Sequence, residues 1–317
     1  MAEHVIHWDD VETEYDEAGT IGSTWTTLAE AAGSKTVNMN RIQVAPGRRS
    51  TPLHTESDEE IFYVLAGSGL SWQRSGDEDV TFEIRSGDCL VHLAGGEAHT
   101  LVAGDDGLDV LAFGFGPQPA FAYFPRLEAM RVGRAIIDVD GRHQWNLEGA
   151  LPDPELPPPS PRPDRIVNAD EIELERGEDR PPFGEDWKEL GGRAGSVRAG
   201  LNLSIVWPNR LNCPPHCHSA EEELFVVLDG EGTLLLGGDE IAVRRGHVIA
   251  RPPGTRIAHA FRAGDQGLTV LMYGTREPND IAYYPKSNKI FFRGVGLITR
   301  LERLDYYDGE EDSPKPG

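Results

Sequence analysis

The chain repeats itself at a spacing of about 160 residues, and no other feature limits its fold so strongly. Trp25, Leu28 and Gly33-Ser34 return as Trp187, Leu190 and Gly195-Ser196. Asn40, Val44 and Pro46 return as Asn202, Val206 and Pro208, which brings His54 into register with His216. Further on, AGDDGLDVLAFG at 103–114 comes back as AGDQGLTVLMYG at 263–274, and Tyr123 and Pro125 correspond to Tyr283 and Pro285. Two copies of one domain follow, one within residues 1–150 and one within 164–317. Between them, LPDPELPPPSPRP at 151–163 has seven prolines in thirteen residues. Proline cannot donate to a sheet and favours extended polyproline geometry, so this stretch is expected to be a semi-rigid strap across the surface.

Each copy consists of short apolar runs cut by glycine: RIQVAPG, EIFYVLAGSG, VTFEIRSGD and LDVLAFGFG, then LNLSIVW, ELFVVLDGEG, DEIAVRRG and LTVLMYG. Runs of this length between turn signals indicate an all-β sandwich or barrel. TWTTLAEAAG and EDWKELGG, each stopped by glycine, predict a short helix ahead of each barrel. ITRLERLDYYDGEED is expected to add a last helical turn before a poorly ordered acidic end. The barrels should occupy about 20–140 and 182–300 and be related by a pseudo-two-fold axis. The twin barrel or the N-terminal arm should cover the sheet edges.

Chemistry concentrates in CPPHCHSAEEELFVVLDG, residues 213–230. In an extended strand, residues i and i+2 share a face, so His216 and His218 point together. Glu223 opens the following apolar run, and His259 in RPPGTRIAHAF is the candidate fourth group. Imidazoles with a carboxylate suit a divalent transition ion, namely Zn, Fe, Ni or Mn. Cys217 lies between the two histidines and should point away from them. Cys213 leaves a Cys/His zinc knuckle as a minor alternative.

The spacing His216-x-His218-x4-Glu223-x6-Gly230 resembles the first signature of the cupin superfamily. Gly246-x5-Pro252-x-Gly254 followed by His259 resembles the second, with the histidine two residues further from Gly254 than the family pattern has it. The resemblance implies two double-stranded β-helix (jelly-roll) barrels in tandem, with His216, His218, Glu223 and His259 as metal ligands. It extends to bicupins as a group, which include oxygenases, decarboxylases, isomerases and non-catalytic binders, and fold alone does not choose among them.

The first copy departs from the pattern. His54, Glu60 and His99 keep their places, but Glu56 stands where the second histidine belongs, and the later proline is missing. His54, Glu56, Glu60 and His99 therefore form a second, weaker candidate set. Two carboxylates there would neutralise a dication and leave a poorer Lewis acid, so most of any activity is expected in the second barrel. Several other residues are expected at the surface: Asp58, Glu59, Glu221 and Glu222 beside the ligand carboxylates, His92 and Arg251 on loops, and His4, His7, His143 and His247. Arg48, Arg49 and Arg210 are expected to form salt bridges.

The formal net charge of -23 argues against nucleic-acid backbones and anionic membranes as partners. Three cysteines without a disulfide framework, no apolar leader and no long apolar run suit a cytoplasmic protein. The expected partner is a small-molecule substrate or ligand, with homo-oligomer formation left open. The leading functional expectation is an oxygenase-type oxidoreductase (a dioxygenase, for instance) with its metal in the second barrel. Alternatives are a metal-dependent isomerase, lyase or hydrolase, or a non-catalytic small-ligand binder.

Overall fold

The protein is described by a computed structural model covering residues 4–116, 119–133, 135–137 and 142–310. Its strands form two eight-stranded and two four-stranded sheets, and the two halves match strand for strand. In the first large sheet the order is Ile166–Asn168, Asp88–His92, Glu59–Ser75, Ala98–Phe115, Asn38–Val44, Ile21–Thr27 and Glu14–Ala18. In the second it is Val5–His7, His247–Arg251, Glu223–Leu236, His259–Thr275, Ala199–Val206, Glu185–Glu189 and Glu175–Arg176. The smaller sheets, one built on Thr55–Glu56 and the other on Cys217–His218, complete the barrels. This is the all-β tandem-barrel architecture expected from the repeat.

The first strand of each large sheet comes from the other half of the chain. Val5–His7 pairs antiparallel with His247–Arg251, and Ile166–Asn168 pairs with Asp88–His92. The N-terminal arm thus covers an edge of the second barrel, while the segment leaving the strap covers an edge of the first. The strap itself is pinned to the first barrel. Ser160 N donates to Thr81 O at 2.8 Å, Thr81 Oγ1 donates to Pro157 O, and Arg162 grips the buried Asp88 through two 2.9 Å hydrogen bonds.

Alternation along two strands divides the core. Phe62 and Val64 point into the first barrel, and Phe225 and Val227 into the second. Their neighbours Ile61, Tyr63, Leu224 and Val226 join a single cluster between the barrels, where Phe113 stacks on Tyr273 at 4.9 Å and 5°. Such a ring pair contributes about 0.5–1.5 kcal/mol beyond its buried area. The glycines that close the first signatures, Gly67 and Gly230, have φ of +85° and +80°. A β-carbon on either would strike the carbonyl of Gly107 or Gly267 across the ladder, so no other residue fits there.

The carboxylates expected at the surface are instead buried. Glu222 is 0% exposed and accepts hydrogen bonds from Lys35 N (2.7 Å), Thr36 N and Oγ1 (2.6 Å each) and Ser34 Oγ (2.9 Å). Glu59, 1% exposed, does the reverse: it accepts from Ser196 Oγ, Val197 N and Arg198 N. Each barrel thus inserts a carboxylate into a turn of the other. Asp58 and Glu221 are also buried, as are His7, His92 and Arg251. Residues of this kind look like surface in sequence, and they are buried because the partner barrel or the sheet covers them.

Of the two helices expected ahead of the barrels, one is present as a single turn and the other is absent. The first copy has a single turn, Leu28–Ala31, after the strand Ile21–Thr27, and the second copy has the strand Glu185–Glu189 in place of a helix. Five consecutive pairings of that strand with Ala199–Val206 satisfy its backbone, and tertiary pairing overrides local propensity. The tail forms a strand, Leu297–Arg300, on the Lys289–Phe292 edge, and 301–305 has no regular structure. The acidic end, 311–317, lies outside the described residues. Arg48, Arg49 and Arg210 do form ion pairs, with Glu17, Glu148 and Asp179. No helix among the described residues is long and apolar enough to cross a membrane.

The reciprocal carboxylates generate a prediction. Glu222→Ala removes the acceptor of the Lys35 and Thr36 amides and of the Thr36 hydroxyl, while Ser34 Oγ keeps Val37 O, and hydrogen bonds to a charged acceptor contribute about 1.5–3 kcal/mol each. A loss of about 3–5 kcal/mol is expected in urea denaturation. A loss below about 1 kcal/mol would show that the clamp does not hold the barrels together.

Candidate metal centres

The second barrel brings its four predicted residues together. His216 and His259, 43 positions apart, exchange backbone hydrogen bonds of 3.2 and 2.9 Å, and their rings lie 5.0 Å apart. The His218 ring is 4.9 Å from that of His216. Glu223 Oε2 lies 3.1 Å from His259 Nε2 and 3.5 Å from His218 Nε2. Although they are that close, His218 Nε2 and Glu223 Oε2 are buried without a hydrogen-bond partner. A buried donor or acceptor left unpaired costs roughly 1–3 kcal/mol, and several aimed at one point are what a metal ion would satisfy. Ligand atoms of His216, His218 and Glu223 all fall within 4.8 Å of one another.

The far side of each ring is fixed. His216 Nδ1 contacts Pro214 O at 3.0 Å, which leaves Nε2 facing the cluster. His218 Nδ1 meets Asp280 Oδ2 at 2.6 Å, and the other Asp280 oxygen accepts from the amides of Ser219, Ala220 and Glu221. Asp280 is 1% exposed. It therefore holds both the imidazole and the loop between His218 and Glu223. Nothing in the repeat pointed to it, because the corresponding residue in the first copy is Ala120.

Burial, and then the neighbouring His259, pushes the His216 pKa down to about 4. Burial would likewise lower His218, but the Asp280 hydrogen bond and the Glu223 charge hold it above the usual imidazole value. For Glu223 burial acts upward, yet the surrounding histidines outweigh it and keep the carboxyl at about 2. It is thus an anion ready to ligate. Cys217 turns towards Tyr283 O, as alternation predicts. Cys213 Sγ lies 3.6 Å from His216 Nδ1, on the side of the ring opposite Nε2, which does not favour a Cys/His knuckle.

In the first barrel, His54, Glu60 and His99 form the corresponding group. His54 and His99 exchange backbone hydrogen bonds, and His99 Nε2 lies 3.0 Å from Glu60 Oε2, with both atoms lacking a hydrogen-bond partner. His54 Nδ1 contacts Pro52 O at 2.8 Å. Glu56 stands aside: its Oε1 lies 3.7 Å from His54 Nε2 but 2.9 Å from Arg131 Nη2. Burial first, and then Glu60, pushes the Glu56 carboxyl up to about 7. Arg131 thereby offsets the extra negative charge that sequence alone assigned to this site. His92 stacks on His99 at 3.7 Å and 11°, in the position that Arg251 takes behind Glu223.

A cavity of about 310 Å3 opens on the first cluster. Beside the second cluster, between Arg251, Thr255 and His259, side chains leave no water-sized space, and a separate cleft of about 400 Å3 touches that cluster at His218 alone, whereas the first cavity is lined by His54, Glu60 and His99 together.

A cupin-domain family model matches residues 40–113 and 202–273, one stretch in each barrel and each containing that barrel's His/Glu group. The chain is a two-domain cupin. Solved bicupins agree with the fold. An oxalate decarboxylase of Lactobacillus farciminis, in complex with formate, is 15% identical with a TM-score of 0.60, covering 88% of this chain and 88% of its own. A Bacillus subtilis oxalate decarboxylase studied for its Mn(II) centres is 15% identical with a TM-score of 0.57, over 85% of this bicupin and 76% of its own chain. Tomato (Solanum lycopersicum) vicilin is 14% identical with a TM-score of 0.58, over 89% and 87%. At such identity these likenesses show the fold alone. The search of curated proteins returned no match.

Carboxylates that orient a ligating histidine typically change metal affinity by about 10–100-fold. Asp280→Ala should weaken zinc binding in the second barrel by that order, measured by competition with a chromogenic chelator, and Asp280→Asn should restore part of it. Unchanged affinity in both variants would reduce Asp280 to a loop organiser.

Proposed function

We propose that this bicupin is a metal-dependent enzyme acting on a small organic molecule. The observation that carries the reading is the convergence of partnerless buried atoms in both barrels: His218 Nε2 with Glu223 Oε2, and His99 Nε2 with Glu60 Oε2. His216, His218, Glu223 and His259 would hold a divalent transition ion in the second barrel, and His54, Glu60 and His99, with Glu56 alongside, would hold one in the first. Such an ion supplies a Lewis acid and, as iron or manganese, a redox couple.

The protein's own groups account for the rest. Nδ1 contacts to Pro52 O, Pro214 O and Asp280 keep the ring nitrogens aimed at the clusters. Neutral imidazoles with a single carboxylate leave a bound dication with net positive charge. With Glu56 paired to Arg131, that holds for the first barrel as well as the second. The cavity over the first cluster gives a substrate access to it, which favours the first barrel as the reacting site. The second site then has an independent metal whose contribution the test below separates.

Oxygenase-type oxidation remains the leading reaction class. A second reading, a redox-neutral lyase, is favoured by the oxalate decarboxylases among the structural neighbours.

Chelator-free purification followed by elemental analysis should find about two equivalents of transition metal per chain. His54→Ala and His216→Ala should each remove about one. Turnover should fall at least about 100-fold in His54→Ala and much less in His216→Ala. Activity that needs dioxygen supports the oxygenase class, and undiminished anaerobic turnover supports the lyase. A metal-free protein indifferent to added metal and to chelator overturns the proposal.

A further inference from the structure

The first-barrel cavity is large for a two-carbon acid. Its 310 Å3 lies within the usual range of organic-ligand pockets, and much of its wall is apolar. Trp25 meets Trp145 edge to face at 6.2 Å and 70°, and Ile42, Phe62, Leu101 and Phe124 continue the surface. Trp145 and Gln144 belong to the short helix Gln144–Gly149, held over the mouth by Glu148, which is 0% exposed and paired with both Arg49 and Arg126. At the offset of the repeat, Leu304 and Asp305 stand in the places of Gln144 and Trp145, and 301–305 forms no helix.

Neutral polar side chains, among them Asn38, Asn40, Ser50, Thr51 and Thr100, share the wall with the charged ones, whose charges offset one another. Arg131 is its one arginine, and Glu56 already neutralises it. Asp58 and Glu60 add two further carboxylates to the lining. With a dication at Glu60 and Glu56 ionised, the formal sum over ion, Arg131, Glu56, Asp58 and Glu60 is zero, so the excess positive charge at the ion is offset elsewhere on the wall and the cavity as a whole is not matched to a dianion. Besides the His99 Nε2 and Glu60 Oε2 of the cluster, two buried polar atoms of the lining residues lack partners: Gln144 Oε1, an acceptor, and Arg131 Nε, a donor. An unpaired buried acceptor in an apolar wall selects a ligand that carries a hydroxyl or N–H.

We infer that the substrate is an uncharged, hydroxylated ring compound of one or two fused rings, packed against the Trp25–Trp145 pair and Phe124 and donating its hydroxyl to Gln144. This deepens the proposed function by naming the substrate class of the same site, and it separates this chain from a small-dianion enzyme. Asn38, Glu56, Asp58 and Arg131 also line an outer cleft of about 720 Å3, so the Glu56–Arg131 pair stands between the cleft and the cavity and marks the way in.

Calorimetric titration of the full-length protein tests this directly, in metal-loaded form and after chelator treatment. The probes are 2-naphthol, 2-naphthoate, 2-methylnaphthalene and oxalate. The expected order has 2-naphthol tightest, with 2-naphthoate and oxalate each at least about tenfold weaker. Gln144→Leu should weaken 2-naphthol by about tenfold and leave 2-methylnaphthalene unchanged, while Trp145→Ala weakens both. Oxalate or 2-naphthoate binding as tightly as 2-naphthol overturns the inference, as does no 2-naphthol binding at millimolar concentration. Equal losses for both naphthalenes in Gln144→Leu would remove Gln144 from the recognition. Because the chelated protein is titrated too, absence of metal would defeat the enzyme reading while leaving this binding order intact, and the converse also holds.

Discussion

Glu59 and Glu222 each carry a buried charge into a turn of the opposite barrel, and much of the architecture depends on that exchange. A carboxylate loses several kcal/mol of hydration when it is taken from water, and only dense, well-aligned donors make this tolerable. Here the donors are backbone amides and hydroxyls of 34–36 for Glu222 and 196–198 for Glu59. The exchange works only if the barrels face each other across a pseudo-two-fold axis, so it fixes their relative placement more narrowly than the apolar cluster could. The apolar cluster between the barrels and the Phe113–Tyr273 stack supply burial, and the carboxylates supply register.

The same strand serves interface and site. On Glu223–Leu236, Glu223, Phe225 and Val227 face the barrel interior, while Leu224 and Val226 face the partner barrel, and Glu222 precedes them on that outer face. On Glu59–Ser75, Glu60 and Phe62 face inward, and Glu59 and Ile61 face the partner. Adjacent glutamates therefore have opposite tasks. A shift of one residue would put the clamping carboxylate in the barrel and the one beside the histidines at the interface. The signature glycines, which let the backbone approach Gly107 and Gly267, help to hold that register.

Near-identical backbones nevertheless carry unlike clusters. In the second barrel, Asp280 reaches His218 through a 2.6 Å contact, a partner the first barrel lacks because Ala120 takes its place. In the first, Arg131 pairs with Glu56, and the helix Gln144–Gly149 borders a cavity. The copies have kept the His/Glu scaffold and differ in what surrounds it, and these surroundings decide which molecule can reach a metal and with what charge.

The sequence by itself determined the duplication, the β class and the shared face of His216 and His218. These follow from the repeat, from short apolar runs between turn signals and from period-two alternation, which are written along the chain itself. Tertiary structure alone decided that His216 meets His259, that Glu222 finds its donors 186 to 188 positions away, and that the first strand of each large sheet is borrowed from the other half. It also turned Glu185–Glu189 into a strand and buried His92 and Arg251. Alternation says which side chains share a face but not what will cover that face. The cover comes from segments far away in the chain, and with it the desolvation and pairing that separate a ligand, a clamp and a solvated surface charge.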